Sequence, residues 1–440
     1  MRTHIKLLVF LLCLAACKPE EIKETPTPNV YEDSDMPEVH ISVSQKEWDR
    51  LLSEYDKNNN TKEFVCCAMS FRQGDEVADL DSVGLRLKGN TSRRRPQEGS
   101  KFRHVHFGIK TNEYRDNQSA LGIKRFDLKW FKDDPAYVRE IYCFDLFRSF
   151  GVWTAIHDVY ARLWLKVGDK DEMYYGVYGL MEHVNKEYLG RRAELFGSTD
   201  GNIWKCSYGA DLKSINADMG QDDNVHEHVY ERKTGKESTF PKAKSQLQDF
   251  ISNLNSLQGT AFKEWISNVM DIDLFLRTYA VNVAVGMWDD YWNNSNNYYL
   301  YFNSKEEKQY KVYFIPYDYD NTLGTSHNCG VQSDSGRQNP LNWGDSSRPL
   351  VSKILQYEDW RTLYIKYLKE LCTGPSSAQQ AGHRIIFWQN RIKDFVQNDT
   401  GEDCSISDAP ASWGNHGEYR LLESGSNNFF AVKAAVVEKL

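Results

Sequence analysis

The chain of 440 residues contains no long hydrophobic run beyond its first residues. This absence excludes a polytopic membrane protein, because a membrane-spanning helix needs about 20 consecutive apolar residues. The chain also lacks an excess of basic residues: 54 Lys and Arg stand against 62 Asp and Glu, for a formal net charge of -8. Nucleic-acid-binding proteins usually show the opposite balance, so we expect no nucleic-acid partner.

Cysteine motifs that bind metal are missing as well. None of the nine cysteines forms a CxxC pair, and their spacing matches no zinc motif. Cys13 and Cys17 lie in the N-terminal segment, and the other seven cannot all pair within one chain. We therefore expect buried or incidental thiols, with room for one disulfide.

The N-terminal 16 residues have the pattern of a signal peptide. Arg2 and Lys6 precede an apolar stretch, and the sequence Leu14-Ala-Ala-Cys17 resembles a bacterial lipobox. The resemblance implies cleavage before Cys17 and a membrane partner bound through lipid on that cysteine. Residues 17–36 are polar and proline-rich, which predicts a disordered tether. We expect a lipid-anchored lipoprotein of the bacterial cell envelope, on the outer membrane and either periplasmic or surface-exposed.

Hydrophobic periodicity predicts the order of strands and helices, and no internal repeat is evident. Strands are predicted at 38–43, 64–71, 83–88, 159–167, 173–183, 297–302 and 310–315. Helices are predicted at 45–52, from Asp134 to before Gly151, at 243–257 and 271–287, and beyond Pro349. Antiparallel hairpins and segregated helices indicate an α+β fold, with a mixed antiparallel sheet and a mainly helical C-terminal part.

The strongest chemical motif is the segment 314–324, where Asp318 and Asp320 follow an apolar strand. In extended chain, residues two apart share a face, so both carboxylates can point at one metal. Oxygen ligands of this kind suit Mg²⁺ or Mn²⁺. The structural alternative is a polar turn, for which Asp, Asn and Gly are common residues.

A second acidic segment, 288–299, contains Asp289, Asp290 and four asparagines. One of the carboxylates could accept a proton from a hydroxyl, and Asn296 or Asn297 could bind a metal. The alternative is an Asx-rich loop that caps the end of a helix.

A basic segment at 84–95 surrounds a Gly-Asn-Thr-Ser turn, with Lys101 and Arg103 beyond it. Backbone N–H groups, hydroxyls and cations of this kind can bind phosphate, although a basic loop can equally be a solvated surface or attract an acidic partner. Glu182 lies near the end of a mostly apolar strand, and a buried glutamate needs a cationic partner.

Together these segments resemble the CotH family of atypical, spore-coat-protein-H-type protein kinases. The matching stretches occur in the family's order at 84–92, 176–184, 200–205, 296–301 and 315–324. The resemblance implies a divergent, atypical protein-kinase-like, two-lobed fold over residues 37–440. Residues 37–240 would form an N-lobe-like part and residues 241–440 a C-lobe-like part.

The resemblance also implies ATP and Mg²⁺ or Mn²⁺ as cofactors, and a protein substrate phosphorylated on Ser or Thr. Asp318 would bind metal with Asp320, and Asn296 or Asn297 would supply a further ligand. Asp289 or Asp290 would orient the substrate hydroxyl and take its proton, with Asp289 preferred because it follows the aromatic residue. Lys101, paired with Glu182, is the preferred phosphate-binding lysine. The other candidates for the nucleotide site are Lys88, Lys205, Asn90, Ser92 and Arg103.

Some ordinary kinase motifs are absent, namely a Gly-rich loop, His-Arg-Asp and Asp-Phe-Gly. Two other functions are therefore considered. One is a non-catalytic surface lipoprotein that binds glycan or protein through the aromatic cluster at 288, 291, 292 and 298. The other is a metal-dependent phosphohydrolase that uses the same acidic groups. The segment 226–228, with Asp222 and Asp223, is a weaker metal candidate.

Overall fold

The computed structural model describes residues 29–32, 35–223, 226–325, 334–411 and 418–440. The first strands are β1 Glu38–Val43, β2 Val65–Gln73, β3 Glu76–Lys88, β4 Gln97–Glu98, β5 Lys101–Phe102, β6 His106–Lys110, β7 Arg125–Lys129, β8 Asp158–Val167 and β9 Met173–Glu182. The later strands are β10 Asn202–Cys206, β11 Met219–Gln221, β12 Tyr230–Arg232, β13 Tyr298–Phe302 and β14 Val312–Pro316. Helices are combined with sheets whose strands pair mainly antiparallel, which fits the α+β class.

Seven of these strands close into a barrel in the order β1-β2-β3-β6-β7-β9-β8. Closure comes from the parallel pairing of β1 with β8, in which Glu38 lies opposite Arg162. Alternate residues of the strands, such as Ile41, Leu85 and Phe107, are fully buried in the barrel core. The sequence predicted the strands but not the closed barrel, because the pairing that closes it joins distant segments and leaves no local pattern.

A second sheet has the order β11-β12-β10-β13-β14 and belongs to a separate hydrophobic cluster. Its β13–β14 hairpin confirms the one predicted from the sequence. Strand β10 pairs with β13, so strands from both sides of residue 240 share this sheet. The division into lobe-like parts at that residue stays a prediction.

The helices lie mainly in the C-terminal half, as predicted. They are α1 Gln45–Lys57, α2 Arg139–Ser149, α3 Lys186–Arg191, α4 Ala193–Phe196, α5 Phe240–Ser256, α6 Gly259–Val269, α7 Ile272–Ala284, α8 Tyr291–Asn294, α9 Pro349–Ile354, α10 Glu358–Thr373, α11 Ala378–Ile392 and α12 Phe429–Val437. Helix α7 packs against α10 and α2, and α2 also packs on strand β8 of the barrel. Helix α2 thus connects the barrel with the helical half.

The start of α2 differs from the sequence prediction. The sequence predicts a helix that starts at Asp134, but the helix begins at Arg139. Tyr137 has a φ of 59°, a left-handed conformation that interrupts a helix. The Asp134 carboxylate instead accepts hydrogen bonds from the backbone N–H groups of Val138 at 2.8 Å and Arg139 at 2.9 Å. It therefore holds the first turn from outside the helix.

The N-terminal predictions fall largely outside the described residues, and this includes the signal peptide and Cys17. Within the predicted tether, Asn29–Tyr31 form a short 3₁₀ turn, and Val30 and Tyr31 are buried. The Tyr31 ring stacks on His157 at 5.1 Å, so this part of the tether packs on the fold. In the described part of the chain, no helix is both long and apolar enough to cross a bilayer.

The cysteines in the described residues match the expectation of buried or incidental thiols. Six cysteines lie in the described residues, and all six are free, most of them buried. Cys329 lies outside those residues.

The barrel core can be tested with two valines on one strand. Val83 is fully buried on β3, whereas Val77, on the same strand, is 52% exposed. We expect Val83→Ala to lower the free energy of unfolding by roughly 2 kcal/mol, because it removes buried methyl groups and leaves a cavity. Val77→Ala, the control, should change it by well under half as much. Equal effects in urea unfolding would contradict the assigned barrel interior.

Candidate functional site

The site is built around Lys129, which lies at the end of β7 and faces away from the barrel core. Its ammonium group lies 2.6 Å from Glu140 Oε2 and 3.1 Å from Asp320 Oδ2, and it also contacts Asp318. Oxygen atoms of these three carboxylates lie within 4.8 Å of one another. We call this arrangement of one lysine and three carboxylates the acidic centre.

Each member of the acidic centre is positioned by its own element. Phe126 and Leu128 point into the barrel, so strand alternation places Lys129 on the outer face. Glu140 is the second residue of α2, which packs beside that face. Asp318 follows the end of β14, and the backbone N–H of Tyr319 donates to Glu140 Oε1 at 3.0 Å. This hydrogen bond ties the helix to the turn that carries the acidic residues.

The turn that carries Asp318 is held in an unusual conformation. Asp318 has a φ of 61°, which is uncommon for a residue other than glycine. Its neighbour Tyr319 is buried and donates from its hydroxyl to Asn282 Oδ1 at 2.7 Å. The N–H of Leu323 donates to the carbonyl of Val285 at 2.8 Å. Strained backbone of this kind persists only where its surroundings fix it, and such residues cluster at functional sites.

The electrostatics of the acidic centre favour a bound cation. Burial raises the pKa of Asp320 to about 6, and it raises that of Glu140 well above its ordinary value. For Asp318 burial acts in the same direction, but the Lys129 ammonium outweighs it and lowers the pKa. Three carboxylates share one lysine, and oxygen donors in such a set suit Mg²⁺ or Mn²⁺. The predicted metal candidates Asp318 and Asp320 are thus brought together.

Asp289 faces the same space as the acidic centre. Its carboxylate accepts hydrogen bonds from the side-chain amides of Asn296 at 3.2 Å and Asn297 at 3.0 Å. Burial raises the pKa of Asp289 to about 7, and the charges of Asp318 and Asp320 add to the increase. The two asparagines predicted as metal ligands therefore lie beside Asp289, where their amides orient its carboxylate.

Asp290 has a different environment from its neighbour. It is 2% exposed and caps α8, accepting from the backbone N–H of Asn293 at 2.7 Å. Its other oxygen accepts from the Asn282 amide at 2.6 Å. Both aspartates accept hydrogen bonds on each oxygen, but Asp290 is buried at a helix cap, whereas Asp289 is less buried and close enough to Asp318 and Asp320 for their charges to raise its pKa, so the geometry favours Asp289.

The predicted pair of Lys101 and Glu182 is wrong. Lys101 is exposed on the short strand β5. Glu182 is fully buried and binds Arg191 at 2.6 Å and Arg192 at 2.8 Å, with His157 at 3.0 Å. The reasoning that a buried glutamate needs a cation was correct, but the cations come from the segment that follows its own strand.

The other nucleotide-site candidates lie in several environments. Lys88 is closest to the acidic centre. Its ammonium binds Asp127 and lies 3.4 Å from the hydroxyl of Tyr317, the residue that precedes Asp318. The remaining candidates do not join it. Lys205 pairs with Glu227 at 3.3 Å and Arg103 with Glu98 at 2.6 Å, while Asn90 is exposed in a loop and Ser92 packs over Gly89.

Sequence reasoning missed Lys129 and Glu140. A usable signal was present: the alternating stretch Phe126-Asp-Leu-Lys129 precedes the predicted helix, and Glu140 falls inside it. A strand lysine followed by a helix glutamate is the arrangement that pairs in protein kinases. The prediction relied on the basic loop at 84–103 instead. In the structure, Arg93, Arg94 and Arg95 of that loop bind groups of the protein itself.

Two weaker candidates are also resolved by the structure. In the segment 226–228, His226 pairs with Asp223, and His228 pairs with Asp218. Within the described residues, the cluster of potential metal ligands is the acidic centre and does not include these histidines. The aromatic residues proposed to stack on sugars, Trp288, Tyr291, Trp292 and Tyr298, are all buried. They form part of the core and cannot present a glycan-binding surface.

Comparison with known proteins agrees with this geometry. The profile of the family described as "CotH kinase protein" matches residues 85–421, most of the chain. The chain belongs to the CotH family. It is also 26% identical over 281 residues to the inner spore coat protein H of Bacillus subtilis (strain 168), which covers 63% of this chain and 70% of that protein.

The structural role of Glu182 can be tested directly. Glu182→Ala leaves two nearly buried guanidinium groups without their shared carboxylate, so we expect a loss of roughly 3–5 kcal/mol in unfolding free energy. The matched control is Glu194→Ala, which removes an exposed glutamate from α4. Chemical denaturation of both variants measures the difference. A Glu182 variant as stable as the control would contradict the assigned network.

Proposed function

We propose that this protein is an atypical metal- and ATP-dependent protein kinase that transfers the γ-phosphoryl group to Ser or Thr of a protein substrate. The observation that carries the proposal is the contact of Lys129 with Glu140 and Asp318. In protein kinases a strand lysine pairs with a glutamate of the next helix, and both act beside a metal-binding aspartate. Family membership supports the same function.

The chain order of the site supports the proposal further. Strand β7 with its lysine is followed by α2 with its glutamate and by the β8–β9 hairpin. Asp289 and Asn297 come next, and the β13–β14 hairpin then leads to Asp318. Protein kinases place a catalytic aspartate and a metal-binding asparagine before the metal-binding aspartate in the same order. This sequence of parts is the basis for a divergent, two-lobed, kinase-like fold.

The residues can be given roles within this proposal. Asp318 and Asp320, with Glu140 nearby, would hold the divalent metal, which supplies neutralisation of phosphate charge when bound. Lys129, which Glu140 keeps in place, would contact phosphate oxygens of the nucleotide. Asp289 orients the substrate hydroxyl and accepts its proton, while Asn296 and Asn297 fix its carboxylate. Phosphoryl transfer depends on such positioning and charge stabilisation.

We also propose that the kinase acts in the bacterial cell envelope, anchored by lipid on Cys17. The support is the sequence Leu14-Ala-Ala-Cys17 after an apolar segment. A metal-dependent phosphohydrolase would use the same acidic groups, and it differs in releasing phosphate without labelling a protein.

The identity of the phosphate lysine is a sharp test. Lys129→Met should lower phosphoryl transfer roughly 100-fold, since it removes a charge that stabilises the transition state. Lys101→Met, at the exposed lysine, should leave transfer unchanged. Intact-mass spectrometry after incubation with ATP and Mg²⁺ or Mn²⁺ measures added phosphoryl groups. If Lys101→Met lost transfer and Lys129→Met retained it, the assignment of Lys129 would be refuted.

The aspartate doublet provides a second test. Asp289→Ala should abolish transfer even in the folded fraction, because it removes the group that accepts the proton, whereas Asp290→Ala should cost about 1–2 kcal/mol through the lost helix cap and keep transfer in the folded fraction. Asp318→Ala should abolish metal-dependent transfer. Thermal unfolding and protein labelling are measured together on each variant.

Free phosphate released by the wild type without any labelled protein would favour the phosphohydrolase.

A further inference from the structure

Beside the acidic centre, the outer face of the barrel carries three cations that we call the arginine face. They are Arg86 and Lys88 on β3 and Arg125 on β7. Burial lowers the pKa of Arg86, and the charge of Arg125 lowers it further. Burial also lowers the pKa of Lys88 to about 8, and both arginines contribute. The three side chains therefore share one region.

The two guanidinium groups have no counter-ion in the described part of the chain. Neither Arg86 nor Arg125 forms a side-chain hydrogen bond or an ion pair there. Arg86 Nε is buried without an acceptor, and its guanidinium lies 5.3 Å from the centroid of the Phe64 ring. A buried guanidinium nitrogen without a partner is costly, so the surroundings of Arg86 are suited to binding an anion.

The nearest carboxylates are already engaged. Asp127 binds Lys88 and lies 3.1 Å from His183, whose ring is neutral at pH 7 because burial lowers its pKa to about 3. Asp222 and Glu231 both bind the same two lysines, Lys62 and Lys233. These carboxylates therefore form ion pairs with lysines, and none of them forms an ion pair with Arg86 or Arg125.

The backbone beneath the arginine face is shaped to admit these side chains. Gly108 lies between β3 and β7, and a Cβ atom there would lie 3.1 Å from Lys88 Cδ and 3.2 Å from Arg86 Nε. Tyr317, the residue that follows β14 of the second sheet, faces the cluster with its hydroxyl 3.4 Å from Lys88 Nζ. Cations on one side and a hydroxyl on the other are suited to an oxygen-rich anion.

We propose that Arg86 and Arg125 form a binding site for a phosphate-type dianion, separate from the acidic centre. Guanidinium groups match phosphate oxygens in pairs, and a dianion would balance the charges of the two arginines. Arg125 is four residues before Lys129 on the same strand, a separation of roughly 13 Å. The dianion is either a phosphate of a nucleotide or a phosphorylated side chain of a substrate. The proposal concerns binding and does not depend on phosphoryl transfer.

The test measures binding of inorganic phosphate to the purified protein in EDTA, by calorimetry and by thermal shift against sodium chloride at equal ionic strength. The variant is Arg86→Gln combined with Arg125→Gln. The control is Arg115→Gln, an exposed arginine paired with Asp81 at 2.6 Å. We expect the wild type and the control to bind phosphate alike, and the double variant to bind at least about tenfold more weakly.

Equal phosphate binding by the double variant, or none by the wild type, would overturn the proposal. If the double variant does not fold, Arg125→Gln alone and Gly108→Ala serve instead, and each should weaken binding. Competition then identifies the source of the dianion. Displacement of phosphate by ATP but not adenosine assigns the site to a nucleotide, and displacement by a phosphoserine peptide assigns it to a substrate. Phosphate binding unaffected by either would contradict the proposal.

Discussion

The ammonium group of Lys129 is the contact on which the candidate site depends. It joins a barrel strand, through Glu140, to helix α2 and, through Asp318 and Asp320, to the turn after β14. Without this cation three carboxylates would lie within 4.8 Å of one another with no compensating charge, an arrangement that strongly disfavours ionisation. The lysine therefore assembles the acidic centre and favours the ionised form of Asp318, whose pKa it lowers.

The same principle of charge balance organises the neighbouring regions in opposite ways. At Glu182 a single buried carboxylate is satisfied by two arginines and a histidine, so nothing is left to bind a ligand. The acidic centre has more carboxylates than cations and favours a metal. The arginine face has more cations than carboxylates and favours an anion. A charged ligand with a bound metal could contact both the acidic centre and the arginine face, whereas the Glu182 network can serve only the fold.

Much of the fold and part of the site could be predicted from the sequence because they depend on local patterns. Alternation predicted β8 and β9, and the strand before Asp318 together with the asparagines around Asp289 marked two pieces of the site. The barrel closure could not be predicted in this way, and the contact of Lys129 with Glu140 could not be either, although the sequence does place a strand lysine before a helix glutamate. Both are tertiary contacts between segments whose local sequences would read the same if they lay apart.

The basic loop shows why residue type alone misled the prediction of the nucleotide site. Arg93, Arg94 and Arg95 form the densest cationic run in the chain, yet the structure uses each of them within the protein. Arg125, which lies on a strand outside that run, has no ion-pair partner among the described residues. A cation is available to a ligand only when no carboxylate or carbonyl of the protein satisfies it, and that depends on what the fold brings near it. The density of charge along a sequence is therefore a poor guide to a binding site, whereas the balance of charge in the folded protein is a direct one.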